Sequence, residues 1–127
     1  MQLGKDFKKV LKQIEEEKGL PEEIIVSSLE AAMASAYKKY KGGNQTTEVY
    51  IDIDNGEFSL YEVRLVVDQL ANEDLEITLD EARRRGYDDV EIGDAIRKEV
   101  FPENFGRIAA QTARQVIIQR LKDAERQ

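Results

Sequence analysis

Residues 105–126 read FGRIAAQTARQVIIQRLKDAER, and this stretch decides how the rest of the chain can pack. Its apolar residues recur three and four positions apart, which is the spacing of one face of a long α-helix. The apolar stripe consists of Ala109, Ala113, Val116, Ile117, Leu121 and Ala124. We therefore expect this helix to pack against other elements along most of its length.

A second face of the same helix is polar. Arg107, Gln111 and Arg114 follow one another at i, i+4 and i+7, so they line one side of the helix. This face is available to a partner, and the alternative is a solvated basic face without a function. No Gly, Asn or Pro closes the helix, which predicts that it continues in a longer chain.

The composition is that of a single soluble globular domain. The chain has 127 residues, of which 41% are hydrophobic and 35% charged. No stretch approaches membrane-spanning length or resembles a signal peptide, so we expect a cytoplasmic protein without a membrane partner. The chain has no Cys, which excludes disulfides and thiolate metal sites.

The formal net charge of −7 argues against binding a nucleic acid over a broad surface, because such binding neutralises many phosphates with Lys and Arg. Any contact with nucleic acid must therefore be local. The basic residues cluster along the last helix, at Lys38, Lys39 and Lys41, and at Arg83 to Arg85. The latter two clusters also suit helix ends, where cations complement the helix dipole.

Two further helices are predicted near the start of the chain. The first ends at Gly19, and its helically spaced apolar residues are Leu3, Phe7, Val10, Leu11 and Ile14. The second begins near Pro21 and ends at Gly42. Its expected apolar face contains Ile25, Leu29, Ala32, Met33, Ala36 and Tyr40.

The pattern then changes to a period of two. Val49, Ile51 and Ile53 alternate with other residues and predict a strand. Asn55-Gly56 predicts a two-residue hairpin turn, after which a returning strand runs to about residue 66. The middle of the chain should therefore contain an antiparallel hairpin.

Three more elements complete the prediction. Thr78 and Glu81 have the spacing of a capping box and open a short helix to about residue 85. A strand is expected over residues 95–100, and Asn104 should cap the final helix. The order of elements predicts an α+β domain, with a helical body at residues 1–43 and 104–127. Residues 46–101 would form a head with a small antiparallel or mixed sheet.

A catalytic site is hard to build from this sequence. The chain has neither His nor Cys, so the usual near-neutral base and the strongest nucleophile are both missing. Asp52 and Asp54 could form a carboxylate pair for a hydrolase, although turns favour Asp for backbone reasons. We expect no enzymatic activity, no cofactor and no metal site.

Aromatic residues near the lysine cluster suggest one more hypothesis. Tyr37, Tyr40 and Tyr50 lie close in sequence to the lysines and could stack bases beside phosphate-binding groups. The alternative for Tyr40 is a place at the edge of the core, with its hydroxyl in water.

Several segments match one family of bacterial proteins. The most specific is FGRIAAQTARQV at 105–116, and the others include EEKG at 16–19, LEAAMASAYKK at 29–39, EITLDEAR at 76–83 and IGD at 92–94. Through these segments and the hairpin around Asn55-Gly56, the whole chain resembles the N-terminal domain family of the transcription elongation and termination factor NusA.

The resemblance implies a non-enzymatic module that binds RNA polymerase near the RNA exit channel, against the β flap. There it would modulate pausing, termination and antitermination. It also implies that Lys38, Lys39, Arg107 and Arg114 face the polymerase or, weakly, the nascent RNA hairpin, and Gln111 shares their helix face. In the family, OB-fold and KH domains follow this one. We expect a monomer, and the alternative is a helical module that self-associates.

Overall fold

The computed structural model describes residues 1, 3–4 and 6–125, without the side chains of residues 124 and 125. The described residues have the predicted α+β fold. The elements in chain order are α1 (Phe7–Lys18), α2 (Glu22–Lys41), β1 (Thr46–Asp52), β2 (Glu57–Val67), β3 (Glu76–Thr78), α3 (Leu79–Arg84), β4 (Ala95–Glu99) and α4 (Phe105–Glu125).

The long strand β2 is the centre of a mixed four-stranded sheet. β1 pairs with it antiparallel along residues 57–63, and β4 pairs antiparallel along residues 61–65 on the opposite edge. β3 continues the first edge as a parallel strand beside residues 65–67. The sequence pattern does not predict β3, because three residues are too few to show an alternation.

The hairpin between β1 and β2 differs from its prediction. The antiparallel ladder closes with Asp52 opposite Glu57, so the turn contains four residues and not two. Gly56 ends this turn with φ +63°, and a Cβ atom here would collide with the carbonyl oxygen of Gly4. The backbone N–H of Leu3 also donates to the Gly56 carbonyl at 2.6 Å. Glycine at this position therefore lets the N-terminal segment lie against the hairpin.

The predicted helix ends are mostly confirmed. Gly19 and Gly42 follow α1 and α2 in the left-handed conformation, and each N–H donates to the carbonyl four residues earlier. The Thr78 hydroxyl accepts a hydrogen bond from the N–H of Glu81 at 3.2 Å, as the capping-box spacing predicts. Asn104 precedes α4 but has φ +64°, which is not the extended conformation usual for an N-cap.

Three apolar clusters hold these elements together. The main core joins α2 and α4 to the sheet through Met33, Tyr37, Val49, Phe58, Leu60, Phe105 and Ala109. The α1 core packs α1 against α2 and α4 through Phe7, Leu11, Ile14, Ile25, Leu29 and Ala113. The α3 core packs α3 on the other end of the sheet through Val66, Ile77, Ala82 and Ile96. α4 therefore contributes to both of the larger clusters.

The apolar faces predicted for α1 and α4 are largely confirmed. In α4, Ala109 and Ala113 are buried, Phe105 joins them, and the remaining described positions of the stripe are half-buried. The side chain of Ala124 lies outside the described residues. Of the helically spaced apolar residues of α1, Phe7, Leu11 and Ile14 are buried, whereas Val10 is 39% exposed.

The buried face of α2 differs from its prediction at one tyrosine. Tyr40 was expected on this face and is 43% exposed, whereas Tyr37 is 3% exposed. The ring of Tyr37 meets Phe105 edge-on at a centroid distance of 5.5 Å, and its hydroxyl donates to Glu62 at 2.9 Å. Both tyrosines continue the helical stripe from Met33, so helical spacing allows either ring to be buried. Only Phe105 and Glu62, which are distant in the sequence, determine that the buried ring is that of Tyr37.

Candidate functional site

Lys38 and Lys39 lie in the last turn of α2, and both side chains are exposed. At this end of the helix the backbone carbonyls carry partial negative charge, which favours cations. Within the part of the chain that the structure describes, neither lysine has a carboxylate within 4 Å. Their charges are therefore available to a partner.

Arg107, Gln111 and Arg114 form one exposed face of α4. The face lies opposite Phe105 and Ala109, which are fully buried in the main core. Among residues 1, 3–4 and 6–125, the three side chains have neither an ion-pair nor a hydrogen-bond partner. Packing of Phe105 and Ala109 in the main core turns this face outward. The polar groups of its three side chains take no part in that packing.

The antiparallel packing of α2 and α4 brings Lys38 and Lys39 to the same end of the helix pair as Arg107. The ring of Tyr40 lies 5.7 Å from that of Phe105, so the end of α2 meets the start of α4. At the other end, a guanidinium nitrogen of Arg120 donates to the Ser28 hydroxyl at 2.5 Å. Arg107 therefore lies near the α2 terminus, and Arg114 lies about 10 Å further along α4.

Lys41, the third lysine of the cluster, has a structural partner. Its ammonium group lies 2.5 Å from a carboxylate oxygen of Glu62, which is 8% exposed and also accepts the Tyr37 hydroxyl. Burial by itself would raise the pKa of Glu62, but the hydrogen bonds from Lys41 and Tyr37 outweigh it and lower the pKa. The charged carboxylate thus stabilises the fold above its unfolded pKa of about 4.3, and this contribution is lost as the pH falls through the folded pKa.

Glu62 was missed in the sequence analysis, although the sequence contains a signal for it. Phe58 and Leu60 occupy the inward positions of β2, and Glu62 has the next inward position. A carboxylate at a buried position of a strand requires polar partners. Those partners lie on α2, so the pattern of β2 alone does not identify them.

The structure does not support the base-stacking hypothesis for the three tyrosines. Tyr37 is buried, and the Tyr40 hydroxyl donates to the carbonyl of Glu103 at 2.5 Å instead of to water. Tyr50 is on the opposite face of the sheet, where its ring meets Tyr61 at 5.6 Å and its hydroxyl donates to Glu48. No shared stacking platform follows from this arrangement.

The carboxylates proposed for a hydrolase have separate structural partners. Asp52 accepts a hydrogen bond from the Asn55 side chain at 2.7 Å, and this bond lowers the pKa of Asp52. Asp54 belongs to the turn and not to the strand, and it accepts from the ammonium of Lys8 at 2.7 Å. Within the described residues, no group of three or more Asp, Glu, His or Cys side chains could hold a metal ion.

Two arginines at the C-terminal end of α3 have local partners. Arg84 and Arg85 both form ion pairs with Glu81, at 2.8 and 3.1 Å. The i, i+3 and i, i+4 spacings make these the usual pairs of a helix surface.

No helix in the part of the chain that the structure describes is long and apolar enough to span a membrane.

Comparison with known proteins gives a consistent result. The family model described as the NusA N-terminal domain matches residues 6–127. Two proteins named "Transcription termination/antitermination protein NusA" are similar: that of Halalkalibacterium halodurans is 39% identical over 98% of this chain, and that of Bacillus subtilis is 41% identical over 89%. The chain spans 32% and 30% of their respective lengths. The solution structure of the N-terminal domain of NusA from B. subtilis matches with a TM-score of 0.81 and 38% identity, covering 96% of this chain and 98% of that one.

Proposed function

Because this chain belongs to the NusA N-terminal domain family, we propose that it is the RNA polymerase-binding module of a transcription termination and antitermination factor. It would dock near the RNA exit channel against the β flap and modulate pausing, termination and antitermination. It acts by binding and not by catalysis. The emerging RNA hairpin would contact the basic residues only weakly.

The observation that supports this proposal most is the placement of the basic residues. Lys38, Lys39 and Arg107 are exposed where the end of α2 meets the start of α4, and Arg114 is exposed about 10 Å further along α4, on a chain with a net charge of −7. Arginine can contact a phosphate or carboxylate with two parallel hydrogen bonds, and lysine supplies a mobile charge. A few exposed cations in this region suit a local contact with one stem of RNA or one acidic surface.

The docking partner is tested by retention on immobilised core polymerase. We expect the 127-residue chain to be retained by the intact bacterial enzyme and lost from an enzyme whose β flap has been deleted. Equal retention by both enzymes would contradict the flap as the docking site. No retention by either enzyme would contradict the proposed function.

The role of the basic residues is tested by reversing two charges. Arg107→Glu with Arg114→Glu should weaken the enhancement of a hairpin-dependent pause several-fold, because both charges would then repel RNA. The fold should persist, since exposed charges contribute little to stability. The difference from the parent chain should shrink at higher salt, where the screening length falls below about 10 Å. The measurement is the pause lifetime in a transcription assay.

Lys9→Glu with Lys12→Glu provides the matched control. These lysines are exposed on α1, so the variant has the same net charge without changing the α4 face. Circular dichroism first establishes that both variants are folded. If the two variants prolonged the pause as well as the parent chain did, the α4 face would be a solvated surface without this function.

A further inference from the structure

The end of α2 is tied to two other parts of the fold by side-chain hydrogen bonds. The Tyr37 hydroxyl donates to the Glu62 carboxylate of β2 at 2.9 Å, and the Lys41 ammonium donates to the same carboxylate at 2.5 Å. The Tyr40 hydroxyl donates to the carbonyl of Glu103, which precedes α4, at 2.5 Å. Helix ends fray unless other contacts hold them, and here three residues near the end are held.

Lys38 and Lys39 lie between these tied residues. Both side chains are exposed, and in the described part of the chain neither ammonium group has a carboxylate within 4 Å. The N–H of Gly42 donates to the Lys38 carbonyl at 2.9 Å and closes the helix. The fold therefore fixes the backbone beneath two cations and leaves their side chains available to a partner.

Glu62 is the shared acceptor of two of these bonds. Phe58 and Leu60 occupy the preceding inward positions of β2, so an apolar residue at position 62 would continue the core without burying a charge. Lys41 does not require the carboxylate either, because its side chain is 43% exposed and can be hydrated. The packing of the core therefore does not account for a carboxylate at this position, whereas the tie to α2 does.

We propose that Glu62 is a positioning residue for the basic surface, which consists of Lys38, Lys39 and Arg107. By holding the end of α2, it keeps the two lysines at a fixed distance from the start of α4, where Arg107 lies. A surface whose backbone is already ordered loses less entropy on binding than one that its partner must order. The role of the lysines rests on the proposed function, and the anchoring of α2 by Glu62 does not.

Amide hydrogen exchange, followed by NMR on the free 127-residue chain, tests the anchoring. Glu62→Leu removes the acceptor of both bonds, so the amides of residues 38–42 should exchange several-fold faster. Tyr37→Phe removes one of the two bonds without changing any charge, and it should have a smaller effect in the same direction. This second variant decides the question if circular dichroism shows that Glu62→Leu is unfolded. Exchange as slow as in the parent chain would overturn the proposal.

Val66→Ala is the control for a general loss of stability. Val66 is fully buried on the same strand, but it packs in the α3 core, which contains no residue of α2. Because amides at a helix end exchange by local opening, this substitution should leave residues 38–42 at the parent rate. Equal acceleration in Glu62→Leu and Val66→Ala would mean that Glu62 acts only through overall stability, and the proposal would be wrong.

The pause assay tests whether the anchoring serves the lysines. Glu62→Leu and Glu62→Gln remove the same charge, but glutamine keeps an acceptor for the Tyr37 hydroxyl. Glu62→Leu should therefore weaken pause enhancement several-fold, and Glu62→Gln should retain most of it. Loss of the negative charge by itself would favour RNA binding in both variants. Equal pause lifetimes for the two variants would contradict a positioning role.

A double-mutant cycle tests whether Glu62 acts through Lys38 and Lys39. Lys38→Gln with Lys39→Gln should itself weaken pause enhancement, and the further change Glu62→Leu should then cause little additional loss. A full additional loss would overturn the positioning role. If the parent chain did not prolong the pause, the proposed function would be contradicted, and the exchange rates would still decide whether Glu62 anchors α2.

Discussion

Phe105→Ala is expected to lower the free energy of unfolding by about 3–5 kcal/mol, the usual range for removing a buried phenylalanine. The ring is fully buried where α2, α4 and the sheet meet. It lies edge-on to Tyr37 at 5.5 Å and to Phe58 at 6.5 Å, so its removal leaves a cavity lined by aromatic groups. Urea unfolding followed by circular dichroism measures the loss.

Phe101→Ala is the matched control for this prediction. Phe101 precedes the helix and is 71% exposed, so the same substitution should change stability by less than about 0.5 kcal/mol. Similar losses of stability for Phe105→Ala and Phe101→Ala would contradict the burial of Phe105 in the main core.

Ala113→Asp is expected to destabilise the chain by about 3 kcal/mol or more, because it forces a carboxylate into an apolar contact. Ala113 is 6% exposed and packs in the α1 core with Phe7 and Leu11 of α1 and with α2. A larger side chain at this point would also separate α4 from its neighbours. The thermal midpoint should fall strongly.

Ala110→Asp separates burial from helix propensity. Ala110 is three residues earlier on the same helix and is exposed, so both variants lose the same intrinsic preference of Ala for helix. Only Ala113→Asp should show the additional effect of burial. An unchanged midpoint for Ala113→Asp would mean that this face of α4 does not form part of the core.

Local chemistry made much of the fold predictable from the sequence. Gly19 and Gly42 end their helices because a left-handed residue suits glycine, and Thr78 caps α3 because its hydroxyl meets the N–H of Glu81. These interactions span three or four residues, so a short stretch of sequence contains both partners. The α+β class followed from the order of such elements.

The features that were mispredicted depend on distant partners. Tyr37 was not distinguished from Tyr40, because Glu62 and Phe105 decide which ring is buried. The four-residue turn that ends at Gly56 lies against the N-terminal segment, which is distant in the sequence. The exposure of Arg107 and Arg114 followed from helical periodicity, whereas their proposed partner rests on family membership and stays a prediction.

The pairing of α2 with α4 also has a consequence for folding during synthesis. Ser28 and Arg120 touch although 92 positions separate them in the chain. The β1–β2 hairpin closes through a short turn and can form early. α4 emerges from the ribosome only after all four strands, so α2 lacks this partner until then. Completion of the core is therefore a late event with a large loop-closure entropy, and folding should be slower than in a bundle of sequential helices. Until then, α1 and the sheet are the elements available to cover the apolar side of α2.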